Sequence, residues 1–222
     1  MTFRTYDCGV PAERADGLHA AVAAIQRGEL IVLPTDTVYG VGADAFTPRA
    51  VDALLSAKGR GRDMPVPVLV GSIRTLEGVV DALSAIGREL VEAFWPGTLT
   101  LIARHTAGLA WDLGDTRGTV AVRMPLHPVA LELLAETGPL AVSSANQTGS
   151  LPARTVEDAA AQLGDAVAVY LDGGPSGDGP PSTIVDITAD VPRVLRVGAL
   201  SPDRLREVAA DLTGPDEVAP VQ

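Results

Sequence analysis

The chain of 222 residues (22.9 kDa) carries a formal charge of −11, with 46% hydrophobic and 20% charged residues; this excludes a disordered chain and a non-specific nucleic-acid binder, whose grip comes from Lys and Arg displacing phosphate counterions. A chain of this length buries roughly 70–75% of the surface it exposes when unfolded, so it needs no covalent staple, and a single cysteine, Cys8, offers neither a disulfide nor a thiolate metal cluster, as expected of a reducing cytoplasm. Charged residues, Pro or Gly interrupt every apolar stretch well short of the ~20 residues of a membrane helix, and the first residues, MTFRTYDCGVPAERADG, have no apolar centre that would make a secretory signal.

In chain order, Leu18, Ala21, Val22 and Ile25 at helical spacing predict a helix over 16–28, stopped by Gly28. The apolar run at 30–33, ended by Pro34, predicts a buried strand. Thr47 and Pro48 supply an N-cap and a first-turn proline for a helix reaching residue 57. A strand over 66–70, helices over 76–83 and 84–94, and strands over 98–103 and 120–123 follow. His127-Pro128 opens a helix to residue 136 closed by Gly138, a strand over 140–143 comes next, and Thr155 with Asp158 forms a capping pattern for another helix. Strands over 167–171, 184–187 and 194–197 precede a last helix from Ser201-Pro202 to residue 212.

This alternation predicts the α/β class, with a twisted mixed sheet and helices packed on it, as one domain over 1–212 followed by a flexible tail at 213–222. The stretch DGGPSGDGPPS at 172–182 is too rich in Gly and Pro to pack, and reads as a mobile loop positioned to cover a site.

Three polar clusters follow strands or helices, where α/β sheets present ligand-binding groups. Thr35 and Thr37 lie in PTDTVYG, directly after the first buried strand. Ser143, Ser144 and Asn146 follow a later one. Lys58-Gly-Arg60-Gly-Arg62 places three cations on a glycine-punctuated ribbon, and Lys58 is the single lysine beside sixteen arginines. A lysine in that background suits work an arginine cannot do, such as a compact charge on a phosphate. Gly-x-Ser-x-Gly and the phosphate-loop pattern are absent, and His19, His105 and His127 have no metal-ligand spacing, so neither a Ser-His-Asp hydrolase nor a zinc site is indicated.

These pieces together resemble a known family. PTDTVYG at 34–40, KGR at 58–60, FWPGTLTL at 94–101, VAVRMP at 120–125, SSAN at 143–146, PSTIVD at 181–186 and LRVG at 195–198 resemble the YrdC/TsaC family in that family's order. The resemblance implies a YrdC-like fold and L-threonylcarbamoyladenylate synthase activity, in which L-threonine, bicarbonate and ATP give threonylcarbamoyl-AMP and pyrophosphate for tRNA modification. It implies that Lys58 and Arg60 are catalytic and nucleotide-binding, and that Asn146 and Arg196 meet the nucleotide. It also implies that Thr35 or Thr37, with Thr119, Arg123, Ser144 and Ser182, binds substrate.

Mg²⁺ is expected on the substrate phosphates, with no residue assigned to a metal. The product would pass to a downstream tRNA threonylcarbamoyl transferase complex; tight RNA binding and a membrane location are not expected. The chain departs from the common pattern at Gly61, Met64 and Leu69, and it has no room for the further domains of longer relatives. A non-catalytic RNA-binding module and a carbamoyl-adenylate step of another pathway remain the alternatives.

Overall fold

The computed structural model describes residues 4–177 and 179–215. In chain order the elements are β1 (Arg4–Asp7), α1 (Pro11–Gln26), β2 (Leu30–Leu33), β3 (Gly40–Asp44), α2 (Pro48–Lys58), β4 (Val68–Leu69), α3 (Ile73–Val79), α4 (Ala85–Phe94) and β5 (Leu99–Arg104). Then come β6 (Thr119–Arg123), α5 (Pro128–Thr137), β7 (Leu140–Ser144), α6 (Val156–Leu163), β8 (Val167–Asp172), β9 (Thr183–Asp186), β10 (Arg193–Arg196) and α7 (Pro202–Arg206). The strands form one mixed sheet in the order β1-β8-β2-β3-β7-β4-β6-β5-β9-β10, confirming the mixed α/β class.

Strand alternation gives this sheet two faces. Val32, Val41, Val68, Val122, Leu101 and Val185 point to one face, covered along its length by the apolar stripes of α2, α3, α4, α6 and α7. On the other face Ile31, Leu33, Val142, Leu69 and Val169 pack under Leu18, Ala21 and Ile25 of α1 and Leu133 and Leu134 of α5. Those two helices cover only the β8-β2-β3-β7 half. The same face of β6, β5 and β9 has no helix over it, and its outward residues Ala121, Ile102 and Ile184 are half-buried beside a cavity.

Where sequence and structure part, the reasons are local. β3 lies in a segment for which the sequence predicts no element, because GVGAD has no strand signature. Its glycines instead permit close packing, since a Cβ at Gly40 would sit 2.6 Å from Val142 Cγ1. β1 is a mostly polar edge strand, paired in parallel with β8 and packed through Tyr6 against α1. Pro11 starts α1 five residues before the expected helix, in the first-turn position that proline favours. α7 stops at Arg206 rather than 212, although Leu205, Ala209 and Leu212 remain buried.

The expected tail does not begin at Thr213. Its carbonyl accepts the Val194 N–H at 2.9 Å and its own N–H donates to Pro192 at 3.0 Å, which ties it to β10; residues 216–222 of that tail lie outside the described residues. Nor is the β8–β9 connector loose along its described length. The Ser176 N–H donates to the Arg154 carbonyl at 2.8 Å, and the Pro181 carbonyl accepts the Ala199 N–H at 2.9 Å; Asp178 lies outside the described residues.

Candidate active site

The open half of the sheet carries a cavity of about 420 Å³. Its floor is the exposed face of β4, β6, β5 and β9, through Leu69, Thr119, Ala121, Thr100, Ile102 and Ile184. One rim is the β2–β3 loop with Thr35 and Thr37; the opposite rim carries Ser182 and Arg196. Arg60, Ser143 and Ser144 close a third side.

Arg123, the last residue of β6, is buried, and each of its nitrogens has a partner. Nε donates to the Gly97 carbonyl at 2.8 Å, Nη1 to Thr37 Oγ1 at 2.9 Å and Nη2 to Asp36 Oδ1 at 2.6 Å. Asp36 Oδ1 also accepts the Leu126 N–H at 3.0 Å. The ion pair thereby folds the β2–β3 loop onto the sheet. Within that loop Thr35 Oγ1 donates to the Val38 carbonyl at 2.6 Å and lies 3.1 Å from Thr37 Oγ1. The two hydroxyls form one unit, anchored through Thr37 to Arg123.

Arg60 leaves α2 through Gly59, whose φ of +59° is the left-handed cap glycine favours. Its guanidinium is held by the Met64 carbonyl at 2.8 Å, the Pro65 carbonyl at 3.0 Å and Ser143 Oγ at 3.1 Å. The departure at Met64 therefore matters little to this contact, which uses only the backbone there.

Lys58 is placed differently. Its side chain lies behind the cavity wall, where Nζ donates to the carbonyls of Ser144 and, at 2.6 Å, Asn146, with Asn146 Oδ1 at 3.5 Å. Burial, then the Arg60 charge, lowers its pKa to about 8. Asn146 also lies outside the cavity lining, and its Nδ2 bridges the Gln147 and Ser150 carbonyls at 2.8 and 2.9 Å. Of the expected site residues these two are not brought to the cavity surface; Arg62, the third cation of that ribbon, is exposed and paired with Asp52 and Asp112.

On the far rim, Arg196 Nη2 donates to the Ser182 carbonyl at 2.8 Å and lies 3.2 Å from Ser182 Oγ. Ser182 Oγ is in turn 2.8 Å from Thr100 Oγ1. Burial first, then the neighbouring Arg123 charge, lowers the Arg196 pKa, and burial lowers that of Arg60. Among the described residues neither Arg60 nor Arg196 forms an ion pair. Thr119, on the floor, has its hydroxyl on the Thr116 carbonyl at 2.8 Å.

Thr35, Thr37, Arg60, Thr119, Arg123, Ser144, Ser182 and Arg196 thus converge on one cavity. Sequence reasoning missed Asp36, Tyr39 and Thr100, although all three lie inside quoted motifs; the pairing of Asp36 with Arg123 spans 87 residues and has no local signal. The cavity combines neutral hydroxyls and an apolar floor with two guanidiniums that have no carboxylate partner among the described residues, which suits an anionic ligand of mixed polarity. Its cations and hydroxyl donors suit charge stabilisation and orientation of such a ligand.

A family model named Sua5_yciO_yrdC, described as "Telomere recombination", matches residues 23–198. A Mycobacterium tuberculosis (strain H37Rv) protein, whose name gives threonylcarbamoyl-AMP synthase as its proposed activity, is 59% identical over 214 residues, covering 95% of this chain and 99% of that protein. The threonylcarbamoyl-AMP synthase of Bacillus subtilis (strain 168) is 38% identical over 198 residues, covering 85% of this chain and 55% of that protein. The crystal structure of P. abyssi Sua5 complexed with L-threonine superposes with a TM-score of 0.89 at 30% identity, covering 96% of this chain and 62% of that one. The chain thus spans little more than half the length of the Bacillus and archaeal relatives and nearly all of the mycobacterial one.

Proposed function

The chain belongs to the Sua5/YciO/YrdC family, and from that membership and the cavity's chemistry we propose that it is an L-threonylcarbamoyladenylate synthase. The observation that carries the reading is the convergence of Arg60, Arg123 and Arg196 with the hydroxyls of Thr35, Thr37 and Ser182 on one cavity. The threonine amine captures carbon dioxide from bicarbonate as a carbamate; a carbamate oxygen attacks the α-phosphorus of ATP, and pyrophosphate leaves with the electron pair of the broken P–O bond. The carbamate, the nucleotide and the departing pyrophosphate are all anionic, so positioned cations and donors supply what this reaction needs.

In this reading the Thr35–Thr37 unit and Arg123 hold the amino acid, with Thr119 and Ser144 along the floor and wall. Arg60 and Arg196 hold the nucleotide from two different sides of the cavity, and Ser182 works with Arg196. Lys58 and Asn146 act through the wall, by fixing the backbone at Ser144. Mg²⁺ arrives on the ATP phosphates, as this ion usually does; among the described residues the cavity lining holds no carboxylate, and Asp36 is engaged by Arg123 and the Leu126 N–H.

The product feeds a tRNA threonylcarbamoyl transferase complex, and the protein works as one domain in the cytoplasm; among the described residues no helix is long and apolar enough to cross a membrane. The decisive experiment is incubation with ATP and bicarbonate, comparing pyrophosphate release with L-threonine, with L-serine and with no amino acid. Release should depend on both threonine and bicarbonate, with serine poorer by about 1–3 kcal/mol for its missing methyl. Release indifferent to threonine would overturn the reading, and retention of RNA on a filter at physiological salt without turnover would favour a binding module instead.

A further inference from the structure

Tyr39 is fully buried, yet it joins four separate segments through hydrogen bonds. Its hydroxyl donates to the Gly174 carbonyl at 2.6 Å, accepts the Gly173 N–H at 3.0 Å, and lies 3.2 Å from Asp172 Oδ1. Its backbone N–H donates to the Ala153 carbonyl at 3.0 Å, and its carbonyl accepts the Ala145 N–H at 2.8 Å. The next residue along, Arg154, accepts both the amide and the hydroxyl of Ser176, at 2.8 and 3.1 Å. The end of the Thr35–Thr37 loop, the turn clamped by Lys58, the approach to α6 and the start of the β8–β9 connector therefore meet at one side chain and its backbone.

This junction bears on the cavity. Gly173 packs against the residue that precedes Thr35, since a Cβ there would lie 2.7 Å from Pro34 Cβ and 3.2 Å from His127 Cε1. Asp172 reinforces the position by accepting the Gly174 N–H at 2.9 Å. The Thr35–Thr37 loop is thus gripped from two sides, by Arg123 through Thr37 and by Gly173 through Pro34. The second grip depends on the phenol, because among the described residues no other side chain holds both Gly173 and Gly174.

We propose that Tyr39 is a positioning residue for the amino acid: its hydroxyl latches residues 172–174 against Pro34 and so fixes the Thr35 and Thr37 hydroxyls in the geometry that binds L-threonine. The phenol acts as a neutral hydrogen-bonding group, since burial, aided by the Asp172 charge, raises its pKa well above that of an exposed tyrosine. The inference rests on the reading that this cavity takes L-threonine. Coupling between a latch and a ligand is reciprocal, so whatever factor the latch adds to threonine affinity, threonine must return to the latch.

Two measurements test this. In Tyr39→Phe the KM for L-threonine should rise about five- to tenfold with kcat changed less than twofold, a split that a merely less stable enzyme would not show. In the wild-type protein, saturating L-threonine should slow hydrogen exchange at the Gly173, Gly174 and Ser176 amides by a similar factor. This second arm needs no variant and stands if Tyr39→Phe does not fold. A wild-type KM in Tyr39→Phe, a loss confined to kcat, or exchange at those amides untouched by threonine would overturn the latch. Failure of the functional reading looks different: wild-type pyrophosphate release would then not respond to threonine at all.

Discussion

Lys58 Nζ donates to the carbonyl oxygen of Asn146 at 2.6 Å, and the carbonyl of Ser144 is its second acceptor. The only lysine of the chain is therefore an internal clamp that draws the end of α2 onto the turn after β7. A compact ammonium meets both carbonyls from a single nitrogen, whereas the wider planar guanidinium of arginine spreads its donors over three nitrogens in a fixed fork. Lys58→Ala strands two acceptors and should lower stability to urea by about 2–4 kcal/mol and activity at least tenfold. Lys58→Arg should not restore either. An arginine variant as stable and active as the parent would show that charge alone is required there.

The same clamp gives a pH signature. Because the folded pKa is lowered to about 8 from the ordinary 10.5, the unfolded chain binds a proton between those values that the folded chain has released. Wild-type stability relative to Lys58→Met should therefore rise with pH across that window, by at most about 1.4 kcal/mol per unit. The comparison cancels the opposing contributions of Cys8, pushed up to about 11 by burial, and Tyr170, pushed up to about 12 by burial. Both of those stabilities fall as pH rises through the alkaline range. Urea titrations at half-unit steps from pH 8 to 10 decide the matter, and a flat difference would refute it.

How far the sequence discloses this site depends on the kind of signal. Thr35 and Arg123 are legible because each follows or ends an apolar strand, where α/β sheets present ligands, whereas Ser182 precedes β9 and is reached only through the family resemblance. That Thr119 and Arg123 share a face follows from strand alternation once β6 is recognised. The uncovered half-face is not legible, because it depends on α1 and α5 covering only part of the sheet. Nor is the inward turn of Lys58: a basic residue in the last turn of α2 reads equally well as a solvated charge on the helix dipole. β3 is hidden by the glycines that let it pack against β7.

Asp36 and Arg123 should behave as a coupled pair. Their side chains are 13% and 8% exposed, so removal of either leaves a mostly buried charge without its partner. Asp36→Ala or Arg123→Ala should each destabilise by about 3 kcal/mol, and the double variant by clearly less than the sum. Strict additivity in urea unfolding would show that the pair contributes no coupling. Threonine-dependent turnover should fall in Asp36→Ala even though Asp36 does not line the cavity, because Arg123 and Thr37 lose their alignment.

Arg60 and Arg196 should separate from the threonine contacts by their kinetic effect. Each Ala substitution removes a cation from a different side of the cavity, and the loss of a charged hydrogen bond worth roughly 1.5–3 kcal/mol corresponds to ten- to more than a hundredfold in kcat/KM. The KM for ATP should carry most of that change, with the KM for L-threonine within about threefold. A change confined to the threonine KM in Arg196→Ala would move Arg196 from the nucleotide to the amino acid.

Gly198 sets Ser182 without touching the cavity itself. A Cβ there would lie 2.1 Å from the Pro181 carbonyl oxygen and 2.6 Å from the Ser182 carbonyl carbon. Both are backbone atoms and cannot swing aside as a side-chain tip would. The close approach is held by Ala199 N–H on the Pro181 carbonyl at 2.9 Å and by Thr183 Oγ1, which accepts the Gly198 N–H at 2.9 Å and donates to the Leu200 carbonyl at 2.7 Å. A methyl group must therefore push residues 181–182 away from β10, taking the Ser182 hydroxyl from Thr100 and its carbonyl from Arg196. Gly198→Ala should lose about 1–3 kcal/mol of stability as an overpacked variant. Its kcat/KM, measured well below its unfolding midpoint, should fall about a hundredfold, as a displacement near 1 Å does. Ser182→Ala keeps the backbone in place and removes only the hydroxyl, so it should lose about tenfold. Equal losses in the two variants would mean that the hydroxyl alone matters, and an alanine variant as active as the parent would show that the rim yields without consequence.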